Sequence, residues 1–130
     1  MYNFNPYQQY RQNSIQSAGK GELTLILYDE AVIHIKKGIK FIEEVKIQDA
    51  HNAIIKAQEI ITYLRETLNM EYEIAGNLYS LYEYINRRLF EANIKKDKMI
   101  LGEALGLVAD LRDTWKTAIK NVQPLAACGQ

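Results

Sequence analysis

Few side chains in this 130-residue chain are of the types that bind metals, since it contains two histidines and one cysteine. A carboxylate-bridged metal site in a helical bundle uses Glu-x-x-His, which places both ligands inward one turn apart. Here Ala31 stands three residues before His34, and Gln48 stands three residues before His51. Glu30 and His34 are four residues apart, but one such pair is typical of a surface contact rather than half a metal site. The sequence therefore predicts no metal and no cofactor.

Two further patterns that could support catalysis are incomplete. The stretch SAGKGE contains Gly-Lys, but a phosphate-binding loop needs a glycine where Ser14 stands and a hydroxyl residue where Gly21 stands. Cys128 lies near the C-terminus, far along the chain from both histidines, and has no intrachain cysteine partner. We therefore expect a protein that is not an enzyme and has no disulfide.

Composition narrows the class of protein. Sixteen basic and 16 acidic residues cancel, whereas nucleic-acid-binding proteins carry a basic surface. The apolar fraction of 48% is that of a globular protein. We see no apolar run of the length that a membrane helix needs, about 18 residues, and no N-terminal signal pattern. A cytoplasmic protein with no nucleic acid and no membrane insertion is expected.

Apolar residues recur at spacings of three and four, which predicts helices. Four segments follow, at about residues 21–47, 49–68, 71–95 and 97–122, with Asp49 as the predicted N-cap of the second. Their short joints favour an all-α, antiparallel up-down four-helix bundle. An extended or short helical segment, residues 1–20, precedes the bundle, and a tail, residues 123–130, follows it; each contains one of the two prolines, Pro6 and Pro124.

Each segment has an apolar stripe that should form the core. The predicted core residues are Leu23, Leu27, Ile35, Ile39, Ile42 and Val45 in the first segment; Ala50, Ala53, Ile54, Ala57, Ile61, Leu64 and Leu68 in the second; Ile74, Leu78, Leu81, Ile85 and Leu89 in the third; and Leu101, Leu105, Val108, Leu111, Trp115 and Ile119 in the fourth.

The third segment has more apolar surface than one neighbouring helix needs. Tyr72, Tyr79, Tyr82 and Phe90 fall on an arc beside its core stripe. Two explanations stay open at this point. The extra width either packs against a second helix of the bundle or forms an aromatic wall that binds a partner, a use to which tyrosine is suited.

The fourth segment places Gly102, Gly106 and Ala109 on one narrow face. Each interior glycine costs about 0.5–1 kcal/mol relative to alanine, which suggests the close approach of another backbone, either from the bundle itself or from a partner. In the first segment, Ile26 and Ile33 lie on the side that otherwise carries charges and are candidate exposed contacts.

The N-terminal stretch NPYQQYRQNSI combines tyrosines and amides with a single charge. Its apolar side chains, Tyr7, Tyr10 and Ile15, either fold back over an apolar groove or simply cover one end of the core. The sequence leaves both alternatives open.

In order along the chain, NPYQQYRQNSI, GELTLILYDEAV, NLYSLYEYINRRLFEANIKKD and DLRDTWKTAI resemble the flagellar export chaperones that bind flagellin. The string from Leu81 to Asn93, Leu-Tyr-x-Tyr-x-x-x-Arg-Leu-x-x-Ala-Asn, and the pair Trp115-Lys116 are its most specific parts. One departure is Ala18-Gly19-Lys20, where many members of that family have a proline before the first helix.

The resemblance implies a cytoplasmic four-helix bundle that holds the disordered C-terminal segment of flagellin, which becomes helical on binding, and so prevents premature polymerisation. It implies that positions 7 and 10 belong to a segment involved in flagellin binding. Components of the flagellar export apparatus are further expected partners. A generic helical adaptor for another amphipathic client is the alternative, and whether the free chain is a monomer or a homodimer is left open.

Overall fold

The computed structural model describes the backbone of residues 20–128 and the side chains of residues 21–121. This part of the chain contains four α-helices and no strand: α1 (Lys20–Glu43), α2 (Ile47–Glu66), α3 (Ala75–Lys95) and α4 (Lys98–Cys128). The prediction of an all-α bundle is confirmed. The predicted segment 1–20, with Tyr7, Tyr10 and Ile15, lies outside the described residues except for Lys20.

The helices pack in chain order around a square. Contacts join α1 to α2, α2 to α3, α3 to α4, and α4 back to α1. Short connections make neighbouring helices antiparallel. Two seams, α1–α4 and α2–α3, therefore lie on opposite sides of the bundle.

The core confirms most of the predicted stripes. Six of the predicted α2 positions are buried, while Leu68 packs against the core from its edge. Gly38 is a core position that the sequence did not reveal. A Cβ atom built at Gly38 would lie 3.2 Å from Ile54 Cγ1 and 3.3 Å from Leu101 Cδ1, so this glycine permits close packing of α1 on α2 and α4.

The turn between α1 and α2 differs from the prediction. Val45 was expected in the core, but α1 ends at Glu43 and Val45 is 76% exposed with φ 58°, in the left-handed region. Lys46 N donates to Phe41 O at 2.8 Å, the bond that closes a Schellman motif. A left-handed conformation is unusual for a β-branched residue.

The predicted N-cap of α2 is also wrong. Lys46 occupies the N-cap without a side-chain hydrogen bond, because the helix begins at Ile47, two residues before Asp49. Asp49 lies instead in the first helical turn. There its carboxylate interacts favourably with the helix dipole.

The third helix begins later than predicted, at Ala75. Glu71 N donates to Asn69 Oδ1 at 3.0 Å, so this stretch forms a turn instead of helix. Tyr72 therefore precedes α3, and Ile74, predicted in the core, is 63% exposed.

The fourth helix is capped by Asp97, whose Oδ1 accepts from Met99 N at 2.8 Å. It continues to Cys128, past the predicted end at 122, and Pro124 lies within it instead of in a separate tail. A proline beyond the first turn of a helix lacks the N–H that would bond to the carbonyl four residues earlier, and its ring crowds that carbonyl.

Candidate functional site

The predicted surface residues of α1 and α4 meet along one seam. Arg112 Nε lies 3.9 Å from Asp29 Oδ1, and Lys98 Nζ lies 3.3 Å from Glu43 Oε2, so these flanks face each other. Helical spacing places the surface residues predicted from the sequence on these same flanks of α1 and α4. We call this surface the α1–α4 groove, and its predicted members are Ile26, Ile33, Gly102, Gly106 and Ala109.

The two glycines of the α1–α4 groove are open. A Cβ atom built at Gly102 or Gly106 meets nothing within 4 Å, whereas Ala109 packs at the edge of the core. The sequence left open whether the bundle's own backbone approaches these glycines. Within the described residues none does.

Two of the predicted aromatic residues, Tyr79 and Phe90, lie along the opposite seam, which we call the α2–α3 groove. Asn86 Nδ2 donates to Thr62 Oγ1 at 3.0 Å, and the guanidinium of Arg65 lies 5.7 Å from the centroid of the Tyr79 ring. Phe90 follows Asn86 by one turn and is 58% exposed. Tyr79 and Phe90 therefore lie along this groove.

Tyr82 does not lie on the surface with the other aromatic residues. It is 2% exposed, and its hydroxyl is hydrogen-bonded to that of Tyr28 at 2.5 Å across the core. Burial raises the pKa of both phenols above the ordinary tyrosine value. Of the two explanations of the aromatic arc, packing within the bundle therefore holds for Tyr82, which is not part of an exposed aromatic wall.

A cleft of about 500 Å³ opens at the end of the bundle where α1 starts. Tyr28 and Tyr82 line it together with Trp115, whose Nε1 donates to Gly21 O at 2.8 Å. Tyr72, 66% exposed, forms part of the rim. Among the described residues no charged side chain lines the cleft; the other lining residues are Thr24, Leu64, Thr67, Leu68, Asn69, Ile74, Ala75 and Leu78.

The sequence analysis did not predict this cleft. Its walls come from the ends of α1, α2 and α3 and from the middle of α4, which are far apart in the chain. No periodicity within one helix reports such a surface. Trp115 was the only available signal, since its indole N–H needs a partner when partly buried.

The α3–α4 seam carries charges instead of open apolar surface. Glu103 accepts from Tyr84 Oη and from Arg88 Nε, each at 2.6 Å. These hydrogen bonds, that of Tyr84 first, lower the pKa of the Glu103 carboxyl. Glu91 extends the network, accepting from Arg88 Nη1 at 2.7 Å and from Lys95 Nζ at 2.9 Å. This seam is thereby occupied by its own side chains.

The Glu30–His34 pair is largely buried rather than on the surface, since the two side chains are 11% and 15% exposed. Glu30 Oε1 is 3.7 Å from His34 Nε2, and Glu30 is buried. In the described part of the chain no three His, Cys, Asp or Glu side chains are grouped as metal ligands would be. None of the described helices combines the length and apolarity that crossing a membrane requires.

Comparisons with known proteins give matches to flagellar proteins along nearly the whole chain. A family sequence model described as "Flagellar protein FliS" matches residues 3–122. The Bacillus subtilis "Flagellar secretion chaperone FliS" is 43% identical over 117 residues, covering 90% of this chain and 88% of the relative. The Salmonella typhimurium protein of the same description is 32% identical over 123 residues, covering 89% and 91%.

A crystal structure described as that of a flagellar chaperone from bacteria has the same fold. It superposes with a TM-score of 0.74 at 22% sequence identity and covers 88% of this chain and 95% of the other.

Proposed function

Because this chain belongs to the FliS family of flagellar secretion chaperones, we propose that it binds the disordered C-terminal segment of flagellin in the cytoplasm, prevents premature polymerisation and keeps the subunit competent for export. The observation that carries this proposal is the match to secretion chaperones over about nine-tenths of the chain. No catalytic step and no cofactor are part of the proposed function.

The open surfaces of the bundle suit such a client. The α1–α4 groove offers a flat strip at Gly102 and Gly106, on which the backbone of another helix can approach closely. The α2–α3 groove offers Tyr79 and Phe90, and aromatic side chains contribute large apolar area to binding. An amphipathic segment that becomes helical in these grooves gains burial and loses conformational entropy, as in other coupled folding and binding.

The predicted contacts in the N-terminal segment are included in the proposal. Tyr7, Tyr10 and Ile15 are proposed to flank the flagellin-binding surface, with positions 7 and 10 carried by the family resemblance. Components of the export apparatus are proposed as later partners, and a homodimer is proposed as the state in which free apolar grooves are covered.

Titration of the protein with the C-terminal segment of flagellin from the same bacterium tests the proposal. Calorimetry should show saturable binding, and circular dichroism should show a gain of helix on mixing. An unrelated amphipathic peptide of equal length is the comparison for a generic helical adaptor. Equal binding of both peptides would favour the generic adaptor, and no binding of the flagellin segment would refute the proposal.

A substitution in the α2–α3 groove locates the contact. Phe90→Ala should weaken flagellin binding about tenfold, because it removes apolar area that the client buries. Tyr63→Ala is the matched control, since Tyr63 is a similarly exposed aromatic residue on α2 that does not share the helical face of Thr62. Equal loss in both variants would argue against a specific groove.

A further inference from the structure

The end of the bundle opposite the cleft is formed by two turns that lie side by side. One turn joins α1 to α2 and the other joins α3 to α4, and antiparallel packing brings both to the same end. Lys98 Nζ is 3.3 Å from Glu43 Oε2, so the two turns are in contact through this ion pair. We call this surface, residues 43–49 and 94–99, the two-turn end.

The two-turn end exposes large apolar side chains. Each turn contributes two of them, and each is about half exposed or more: Val45, Ile47, Ile94 and Met99. Ten large apolar or aromatic side chains are exposed in the whole described part of the chain, so four of the ten are concentrated on this one small surface. Clustered exposure of this kind marks a contact surface, whereas single scattered residues do not.

The backbone of both turns is also unusual. Among the described residues, two residues other than glycine have a positive φ, and they are Val45 at 58° and Lys96 at 49°. Each follows the end of a helix, where glycine is the usual residue in this conformation. Residues held in rarely populated conformations occur preferentially at functional sites. At Val45, glycine would relieve the backbone but would remove an apolar side chain from the surface.

The two turns carry opposite net charge. Residues 43–49 have three acidic side chains and one basic one, for a net charge of −2. Residues 94–99 have three lysines and one aspartate, for a net charge of +2. A two-fold axis in the plane of this end and parallel to the turns places each turn on the opposite turn of a second copy. Both contacts are then attractive, and apolar side chains face apolar side chains in both.

From these observations we infer that the two-turn end joins two copies of this chain in a symmetric end-to-end dimer, with each α1–α2 turn packed on the α3–α4 turn of the other copy. The end of a four-helix bundle is about 20 Å wide, since helices about 10 Å across pack side by side. Two such ends bury roughly 800–1,000 Å² together, which is the size of a weak, reversible contact. This dimer leaves both grooves and the cleft uncovered, so it differs from a homodimer that covers the grooves and does not depend on a client.

Sedimentation velocity of the full chain over about a hundredfold range of concentration tests the inference, since association follows mass action. The unaltered protein should shift from monomer to dimer as its concentration rises. Met99→Ser should weaken association about tenfold, because symmetry removes the apolar side chain from both contacts. Met70→Ser is the matched control, being the same substitution at an exposed methionine outside the two-turn end, and it should leave association unchanged.

Val45→Gly separates the contact from the stability of the fold. It should weaken association about threefold by removing apolar area, although it relieves the left-handed backbone and stabilises the free chain. Opposite signs for stability and association are not expected of a residue whose role is only structural.

An exchange of charges tests the symmetry. Glu44→Lys and Lys95→Glu each remove the attraction at both contacts, so each variant alone should associate about threefold to tenfold more weakly. A mixture of the two variants keeps the original turns at one contact and pairs the exchanged charges at the other. Heterodimers should therefore form more tightly than either variant self-associates, which a structural effect within one chain does not produce.

Three results would overturn the inference. The first is an unaltered protein that stays monomeric over the whole range. The second is a dimer that responds equally to Met99→Ser and Met70→Ser, which would place the contact elsewhere. The third is a dimer that the C-terminal segment of flagellin dissociates, which would place the contact in a groove and leave the proposed function standing.

Discussion

The two open glycines of α4 give a prediction whose magnitude follows from their surroundings. Because a Cβ at Gly106 meets nothing within 4 Å, Gly106→Ala brings the helix-forming advantage of alanine, about 1 kcal/mol, without a steric cost. For a domain of this size that corresponds to an increase of about 4 °C in the unfolding midpoint. Gly102→Ala should behave alike, for the same reason. Thermal unfolding followed by circular dichroism at a fixed protein concentration measures both.

Gly38 is the matched control for this reasoning. Its added Cβ would lie 3.2 Å from Ile54 and 3.3 Å from Leu101, and overpacking of this kind costs about 1–3 kcal/mol. Gly38→Ala should therefore be neutral or destabilising despite the same gain in helix propensity. If Gly106→Ala instead lowers the midpoint as much as Gly38→Ala, another backbone lies against the α4 glycines in solution and the reasoning is refuted.

A larger substitution at Gly106 tests whether this face binds flagellin. Gly106→Leu should leave the fold intact, because the side chain projects into open space, but it should weaken flagellin binding about tenfold or more by preventing close approach in the α1–α4 groove. Calorimetric titration measures the affinity, and circular dichroism of the free variant checks the fold. Unchanged affinity in a folded variant would remove this face from the binding surface.

Three further substitutions test the description of the fold. Val45→Gly should stabilise the protein by about 1 kcal/mol in urea unfolding, because glycine accepts the left-handed conformation; destabilisation would contradict the assigned turn. Trp115→Phe should cost about 1 kcal/mol in the same assay, because the bond to Gly21 O is lost; an unchanged midpoint would contradict it. Since burial raises the pKa values of Tyr28 and Tyr82 in the folded state, their stability contribution is complete below about pH 10 and declines as pH rises above it. Tyr82→Phe should flatten that alkaline decline, and a decline as steep as in the unaltered protein would refute the assignment.

The sequence allowed the core of α2 to be predicted because its buried positions follow one helical stripe without interruption. The stripe alone could not reveal where the flanking helices end. Val45 and Ile74 continue the apolar pattern of α1 and α3 but lie beyond the ends of those helices, and both are exposed. Helix ends depend on turn geometry, which residue periodicity does not encode.

The candidate site was predictable in part for a similar reason. The positions of Tyr79 and Phe90 beside the core stripe follow from helical geometry, and the structure places both along α2–α3. Tyr82 differs from them by burial alone, which depends on its partner Tyr28 on another helix. The close packing at Gly38 likewise depends on contacts with two other helices. A contact between residues that are far apart in the sequence leaves no pattern in either of the two segments that contain them.

The arrangement of seams constrains how one client can reach both grooves. The α1–α4 and α2–α3 grooves lie on opposite sides of the square, so a segment that occupies both must cross a side or an end of the bundle. Crossing the α3–α4 side would cover the ion network centred on Glu103, and desolvating paired charges is costly. Among the described residues the end cleft has no charged lining, and all four helices border it. Its apolar walls can be covered without that cost, so we expect a segment that occupies both grooves to cross at the end where α1 begins rather than over the α3–α4 side.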